Sequence, residues 1–259
     1  MRKFGTLLGT LLLAAVLAAA GTASCFAMSG QDVLDRVKEE YGDFQSQVVT
    51  MQIKTYDGET LVSDREVVVL SRKVGDVNQS LLKFTSPRDV EGVGLLDQGD
   101  DIMYMYLPEF GKARRIAGSA KSGSFMGTDF TYSDMSFISY DTSDYEAQLL
   151  SENDEAYELE LSTKSDKDKF YEKVMMTVAK NNWFPTQIVF YNLDGRLEKE
   201  LTAYDVTKYG DYKYPQRLVM KNVLADHRTE IILEKPEFDR NLDESLFTIR
   251  SLQRTRIRY

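Results

Sequence analysis

Cysteine is almost missing from this 259-residue chain, and its single copy, Cys25, stands close to the N-terminus. A body without cysteine has neither a disulfide framework nor a thiol nucleophile, so its stability has to come from a packed core. Histidine is equally scarce. His227 stands alone, which excludes a histidine metal cluster and a multi-histidine active site, and its place before a strand-like stretch reads as a surface turn. Neither a G-x-x-x-x-G-K phosphate loop nor a serine-hydrolase elbow occurs. Positive charge is in deficit, with 32 Lys and Arg against 41 Asp and Glu, which argues against nucleic acid as a partner. The acidic groups Asp100-Asp101 and Asp166 to Asp168 sit beside glycine or lysine and read as solvated turns. Adjacency in sequence does not establish the paired-carboxylate geometry of a glycoside hydrolase.

After the first twenty residues no apolar run is long enough to span a bilayer. The first segment has the form of an export signal: Arg2 and Lys3, an apolar run from Leu7 to Ala20, small residues, and an expected cleavage after Ala27. Removing 1–27 changes the balance to 30 minus 41, a net charge of −11. Cys25 raises the alternative of an acylated lipoprotein, but Thr22, Ala23 and Ser24 fit a lipobox poorly. Residues 28–259 carry no composition break, proline-rich linker or clear repeat and read as one domain.

Ser29 caps a predicted helix to about Tyr41, with Asp32 in its first turn and Val33, Leu34, Val37 and Tyr41 as an apolar stripe. Val49, Met51 and Ile53 then alternate with polar residues up to a turn at Asp57-Gly58. Further strands are expected at 65–72, 79–85, 102–107, 157–163, 171–179, 185–191, 197–205, 217–223 and 229–234. Turn signals at Val74-Gly75-Asp76, Asp194-Gly195 and Tyr209-Gly210-Asp211 favour antiparallel neighbours. The expectation is a mainly β fold: a strongly curved antiparallel sheet or unclosed β-barrel of roughly ten strands, with a helical plug or lid. Residues 242–247 read as a short helix or turn before a basic tail, Arg250 to Arg258.

The stretch from Lys112 to Met135 is the most distinctive. Phe125, Met126, Phe130 and Tyr132 crowd beside Gly123 and Gly127, a composition suited to covering an apolar surface while staying movable. Upstream, Met103 and Met105 share one face of a strand and Tyr104 and Tyr106 the other, so one set can line a cavity. These eight residues are the candidate lipid-binding or rim positions, against the plain alternative of core packing. Asp129 reads most simply as a turn cap. Arg114 and Arg115 are candidates for a lipid phosphate or an acidic partner surface, against a solvated strand edge. No catalytic residue, metal ligand or cofactor site is assigned.

Leu81-Leu82-Lys83-Phe84 with Pro87, Tyr104-Met105-Tyr106-Leu107-Pro108, Arg114-Arg115-Ile116 and Ser124 through Tyr132 resemble the ordered motifs of the LolA-like outer-membrane lipoprotein-sorting family. The similarity continues through Tyr204-Asp205, Met220, Leu246-Phe247-Thr248 and Leu252. It implies an unclosed β-barrel with a helical lid over an apolar cavity. The implied function is a non-enzymatic periplasmic carrier that sequesters acyl chains of lipoproteins or lipids and hands them towards the outer membrane. Its partners would be a membrane transporter or an outer-membrane acceptor, reached through transient membrane contact. A second reading, an accessory or sensor subunit of a lipid-exporting transporter, uses the same fold to bind protein. A third is a hydrolase with an unrecognised acidic site. The carrier reading has a physical basis, since each methylene removed from water gains roughly 0.8 kcal/mol.

Overall fold

The computed structural model describes residues 28–41, 44–75, 77–100, 102–138, 145–164, 169–234 and 236–259. The expected signal segment 1–27 with Cys25, the turn residue Asp76 and the acidic residues Asp101, Asp166 and Asp168 lie outside them.

Helix α1 (Gly30–Tyr41) starts at a reciprocal cap. The Asp32 N–H donates to Ser29 Oγ at 3.1 Å, while the Ser29 N–H donates to Asp32 Oδ2 at 2.8 Å. These Ser29 bonds hold the Asp32 carboxyl below the usual carboxylate range. Val33, Leu34, Val37 and Tyr41 are all buried, as the stripe predicts.

Among the described residues the strands number fourteen and form one antiparallel sheet. β1 (Ser46–Asp57), β2 (Thr60–Val74), β3 (Val77–Ser86), β4 (Gly94–Asp97), β5 (Met103–Leu107) and β6 (Lys112–Ile116) make a first meander. β7 (Tyr145–Glu152), β8 (Ala156–Thr163), β9 (Lys173–Ala179), β10 (Pro185–Tyr191), β11 (Leu197–Tyr209), β12 (Tyr212–Asn222) and β13 (His227–Leu233) make a second. The meanders join where β1 pairs with β13, with Ile53 opposite Ile231, and β14 (Glu237–Phe238) adds to the start of β1. The mainly β, unclosed sheet is the expected fold class. Four strands go beyond the sequence reading: β4, β6, β7 and β14. β4 is Gly-Leu-Leu-Asp and β14 a dipeptide, both too short for alternation to register; β6 looked like a basic cluster.

The sheet has two edges, β6 and β7, which are consecutive in the chain. Each is protected. β6 carries exposed Lys112, Arg114 and Arg115. β7 is covered by the start of α1, where Gln31 Oε1 accepts the Ala147 N–H at 3.3 Å. The approach requires Gly30, since a Cβ there would lie 2.4 Å from the Leu149 nitrogen and 2.6 Å from the Ala147 oxygen.

Two apolar layers follow from strand alternation. One face, called inner here, joins α1 and the β6–β7 connection to both meanders. On the outer face, Leu242, Leu246, Phe247 and Leu252 of the C-terminal segment cover Val48, Val68, Leu70, Leu81 and Leu96. The expected second helix is a 3-10 turn at Glu244–Leu246 followed by a short helix, α3 (Ile249–Leu252).

Candidate ligand cavity

Register arranges the inner face of the first meander in rungs. Val49, Val69, Leu82, Leu95 and Met105 stand opposite one another across β1 to β5. One step towards the strand ends, Gln47, Ser71, Ser80, Asp97 and Met103 form the next inner rung. In the other direction come Met51 with Val67, then Ile53 with Ile231. The inner face therefore grades from a polar rung to an apolar floor.

The connection after β6 crosses this floor. Its centre is a small hairpin: Ser124 bridges Thr131, the Phe125 N–H donates to the Phe130 carbonyl at 2.8 Å, and the Thr128 N–H to the Phe125 carbonyl at 3.0 Å. Met126 and Gly127 form the turn, with φ of 52° and 75°. Left-handed backbone suits glycine, whereas for Met126 it costs on the order of 1–2 kcal/mol. The turn is held by Arg65 of β2, whose Nη1 donates to the Met126 carbonyl at 2.5 Å. Phe125 and Phe130 then point into the core, at 2% and 1% exposure. Phe125 lies 5.9 Å from the Phe84 ring, and Phe137 of α2 (Met135–Ile138) lies 5.3 Å from the Phe190 ring, so the crossing segment fills both halves of the inner face.

Two polar anchors fix the segment. The first is Asp129, buried, whose Oδ2 accepts from Thr229 Oγ1 at 2.7 Å while its N–H donates to the same hydroxyl oxygen at 2.9 Å. His227 Nδ1 lies 2.8 Å from both carboxylate oxygens. A carboxylate only accepts, so this nitrogen carries the proton and donates. The second is Asp134, fully buried, which pairs with Lys199 of β11 at 3.1 Å and accepts from the Tyr171 hydroxyl at 2.7 Å. Burial, with the Asp134 carboxylate beside it, pushes the Tyr171 phenol far above its ordinary value.

Between hairpin and floor lies a cavity of about 90 Å³ with mostly apolar walls from Met51, Ile53, Leu82, Met103, Phe125 and Phe130. It reaches from Gln47 to Ile53 along β1, roughly 20 Å at 3.3–3.4 Å per residue. Its volume is well under the roughly 300 Å³ at which ligand pockets begin, so a long apolar chain enters only if the hairpin moves. Among the described residues there is no cluster of His, Cys, Asp and Glu able to hold a metal ion.

A family model described as that of an uncharacterized protein matches residues 76–254, more than half of the chain. A crystal structure described as an outer membrane lipoprotein-sorting protein domain, from Vibrio parahaemolyticus, superposes with a TM-score of 0.79 at 27% identity, covering 87% of this chain and 98% of that one. The chain belongs to the LolA-like family. A DUF1329 family protein from Desulfovibrio piger (TM-score 0.79, 24% identity, 86% and 98% covered) shares the fold. So does a LolA superfamily protein from Nitrosomonas europaea (TM-score 0.70, 23% identity, 87% and 100% covered). No curated protein matches the chain.

In this LolA-like protein Met103, Phe125 and Phe130 line the cavity. Met105 is buried one rung away, and Met126 and Tyr132 are half-buried, packed against the inner core without lining the cavity. Tyr104 and Tyr106 pack on the outer face against the C-terminal layer. Arg114 and Arg115 are exposed on the β6 edge, and Arg114 stacks 4.7 Å over the Phe110 ring. Helix α1 packs on the inner face over β7, β8 and β12, as the expected plug does, but away from the cavity, which the hairpin closes. Two expectations are corrected outright. His227 is the first residue of β13 and not a free surface turn, and Asp129 is a buried anchor across the sheet and not a local turn cap. Sequence reasoning missed Gln47, Ser71 and Ser80, although each sits in phase with apolar inner-face neighbours, a legible signal.

Proposed function

We propose that this protein is a periplasmic carrier that sequesters acyl chains of lipoproteins or lipids beneath the Ser124–Thr131 hairpin and passes them towards the outer membrane. The observation that supports this most directly is the apolar cavity floored by the β1–β5 rungs and roofed by a hairpin held by a few discrete polar bonds. Such a roof opens without dismantling the sheet, because its strand pairing is internal to the segment. The acyl chain replaces Phe125 and Phe130 against Met51, Leu82 and Met103, and the adaptable methionine side chains suit a flexible ligand. A lipoprotein-sorting role named for the Vibrio relative agrees with this reading.

The filled interior favours attention to a second reading, an accessory or sensor subunit of a lipid-exporting transporter that binds protein and carries nothing. One experiment separates the two. The processed protein is purified from its native periplasm without detergent, and co-purifying molecules are identified by mass spectrometry. Stoichiometric lipid or lipoprotein supports carriage, while clean protein holding a transporter subunit supports the accessory role. In parallel, Met103→Trp, which fills the cavity, abolishes acyl-chain uptake while leaving the far-UV circular dichroism intact. Undiminished uptake by that variant removes the cavity from the mechanism.

A further inference from the structure

Of the two edges of the sheet, only β7 is occupied by the chain itself, through the start of α1. β6 pairs with β5 on one side, and among the described residues no strand pairs with its other side. An open edge carries backbone N–H and C=O groups ready to pair with another extended chain. This edge is also basic, in a protein with more acid than base: between Ile102 and Thr128 stand Lys112, Arg114, Arg115 and Lys121 against Glu109 alone. Lys112, Arg114 and Arg115 are exposed, and among the described residues none of the three pairs with a carboxylate. Arg114 stacks instead over the ring of Phe110, which is itself exposed. The C-terminal tail adds to the positive field. Its Ile257 packs on the same outer cluster as Tyr104, Tyr106 and Ala113, and Arg254, Arg256 and Arg258 are exposed around it, Arg256 alone of these taking a carboxylate, Glu91 at 2.9 Å.

We propose that the β6 edge is a docking strand: an acidic, extended segment of a partner protein adds to the sheet beside Lys112–Ile116. The register of β6 on β5 favours this occupant over others that a basic surface attracts. Lys112 stands opposite Leu107 and Arg114 opposite Met105 on the inner side, while Arg115 stands opposite Tyr104 on the outer side. Cations that alternate between the two faces of one strand do not share a plane against a membrane, whereas a strand added in the plane of the sheet has all three beside it. A second copy of the same edge would set Arg114 and Arg115 against like charges, the usual protection of an edge from self-pairing. An acidic strand turns that protection into selectivity. Its carboxylates meet Lys112, Arg114 and Arg115, its apolar residues meet Ala113 and Ile116, and its backbone extends the ladder. β6 ends at Ile116 and the hairpin roof begins at Ser124, so the partner docks beside the segment that closes the cavity. The docking strand is independent of acyl carriage, since a carrier handing over cargo and an accessory subunit both need a partner surface.

The test is fluorescence anisotropy of the full chain with a labelled peptide, Thr-Val-Glu-Glu-Val-Glu-Thr, at low ionic strength. In antiparallel register this peptide puts its glutamates beside Arg115, Arg114 and Lys112 and its valines beside Ile116 and Ala113. The expected result is saturable binding that the same peptide with lysine in place of glutamate lacks. Arg114→Glu/Arg115→Glu, at two exposed positions, weakens the acidic peptide about tenfold and takes up the lysine peptide instead. Two isomers of the acidic peptide, N-methylated at alternate backbone nitrogens, separate strand addition from charge attraction without any change to the protein. Only one alternate set of amides faces β6, so one isomer loses about tenfold in affinity and the other binds like the parent. Equal effects of the two methylation patterns, or no binding of the acidic peptide, overturn the docking strand. So does loss of phosphatidylglycerol-vesicle binding in the double variant with no peptide bound by the wild type, which assigns the cations to a membrane surface. Co-purified lipid, which tests the carrier reading, is unaffected by any of these outcomes.

Discussion

Removing the carboxylate of Asp129 should free the hairpin while leaving the sheet folded. In Asp129→Ala the Thr229 and His227 donors lose a charged acceptor, and Thr229 is fully buried. Hydrogen bonds to charged groups contribute about 1.5–3 kcal/mol each, so the two bonds together are worth roughly 3–6 kcal/mol of hairpin docking, towards the low end because His227 is partly exposed. Hydrogen exchange reads this locally. The Phe125 and Thr128 amides, which donate to the Phe130 and Phe125 carbonyls, are protected by the docked hairpin. A loss of about 3–4 kcal/mol speeds their exchange roughly 10²- to 10³-fold if they exchange by local opening. The amides of Met176 and Ile188, paired across β9 and β10, serve as the internal reference and should hold their rates. Asp129→Asn, which still accepts from Thr229, should show an intermediate effect. Equal acceleration at Met176 and Ile188 would refute the reasoning, because the hairpin would then be an inseparable part of the global core. Unchanged rates at Phe125 and Thr128 would refute it from the other side.

Three further outcomes follow from buried groups. Lys83, 1% exposed, donates to the Gly92 and Leu252 carbonyls without a carboxylate partner, and burial lowers its pKa to about 8. The unfolded chain then binds more protons between about pH 8 and 10.4, so the Lys83 contribution to stability rises across that window by ~3 kcal/mol. Urea denaturation at stepped pH should show this slope in the wild type and not in Lys83→Met. Lys199→Met strands the fully buried Asp134 carboxylate and should cost about 3–5 kcal/mol in the same assay, with the Asp134→Asn/Lys199→Met pair recovering much of it. Gly30→Ala drives a Cβ into the β7 backbone and should lower stability by about 1–3 kcal/mol, read as a lower melting temperature. An unchanged melting temperature would mean that α1 can shift off β7 without penalty.

Periodicity alone carried much of the architecture. The 3.6-residue stripe of α1 and the two-residue alternation of β1, β3 and β10 mark buried faces directly in the residue order, because side-chain direction there depends only on local backbone geometry. The same alternation separates Met103 and Met105 from Tyr104 and Tyr106, and the structure puts the two sets on opposite sides of the sheet. Short or polar strands such as β4 and β6 escape that signal, since their strand state comes from neighbours that complete their ladders.

The composition and order of residues by themselves determined a cysteine-poor, meandering β protein opened by an amphipathic helix, with an aromatic-glycine segment after a Met-Tyr strand. Only the tertiary structure decided where that segment lies. Its path from edge β6 to edge β7 depends on which strands end the sheet, and its anchors, Asp129 with Thr229 and Asp134 with Lys199, join residues 100 and 65 positions apart. The polar rung is the same kind of fact. Gln47, Ser71, Ser80 and Asp97 are unremarkable one at a time, and share one end of a single cavity because antiparallel register sets them opposite one another.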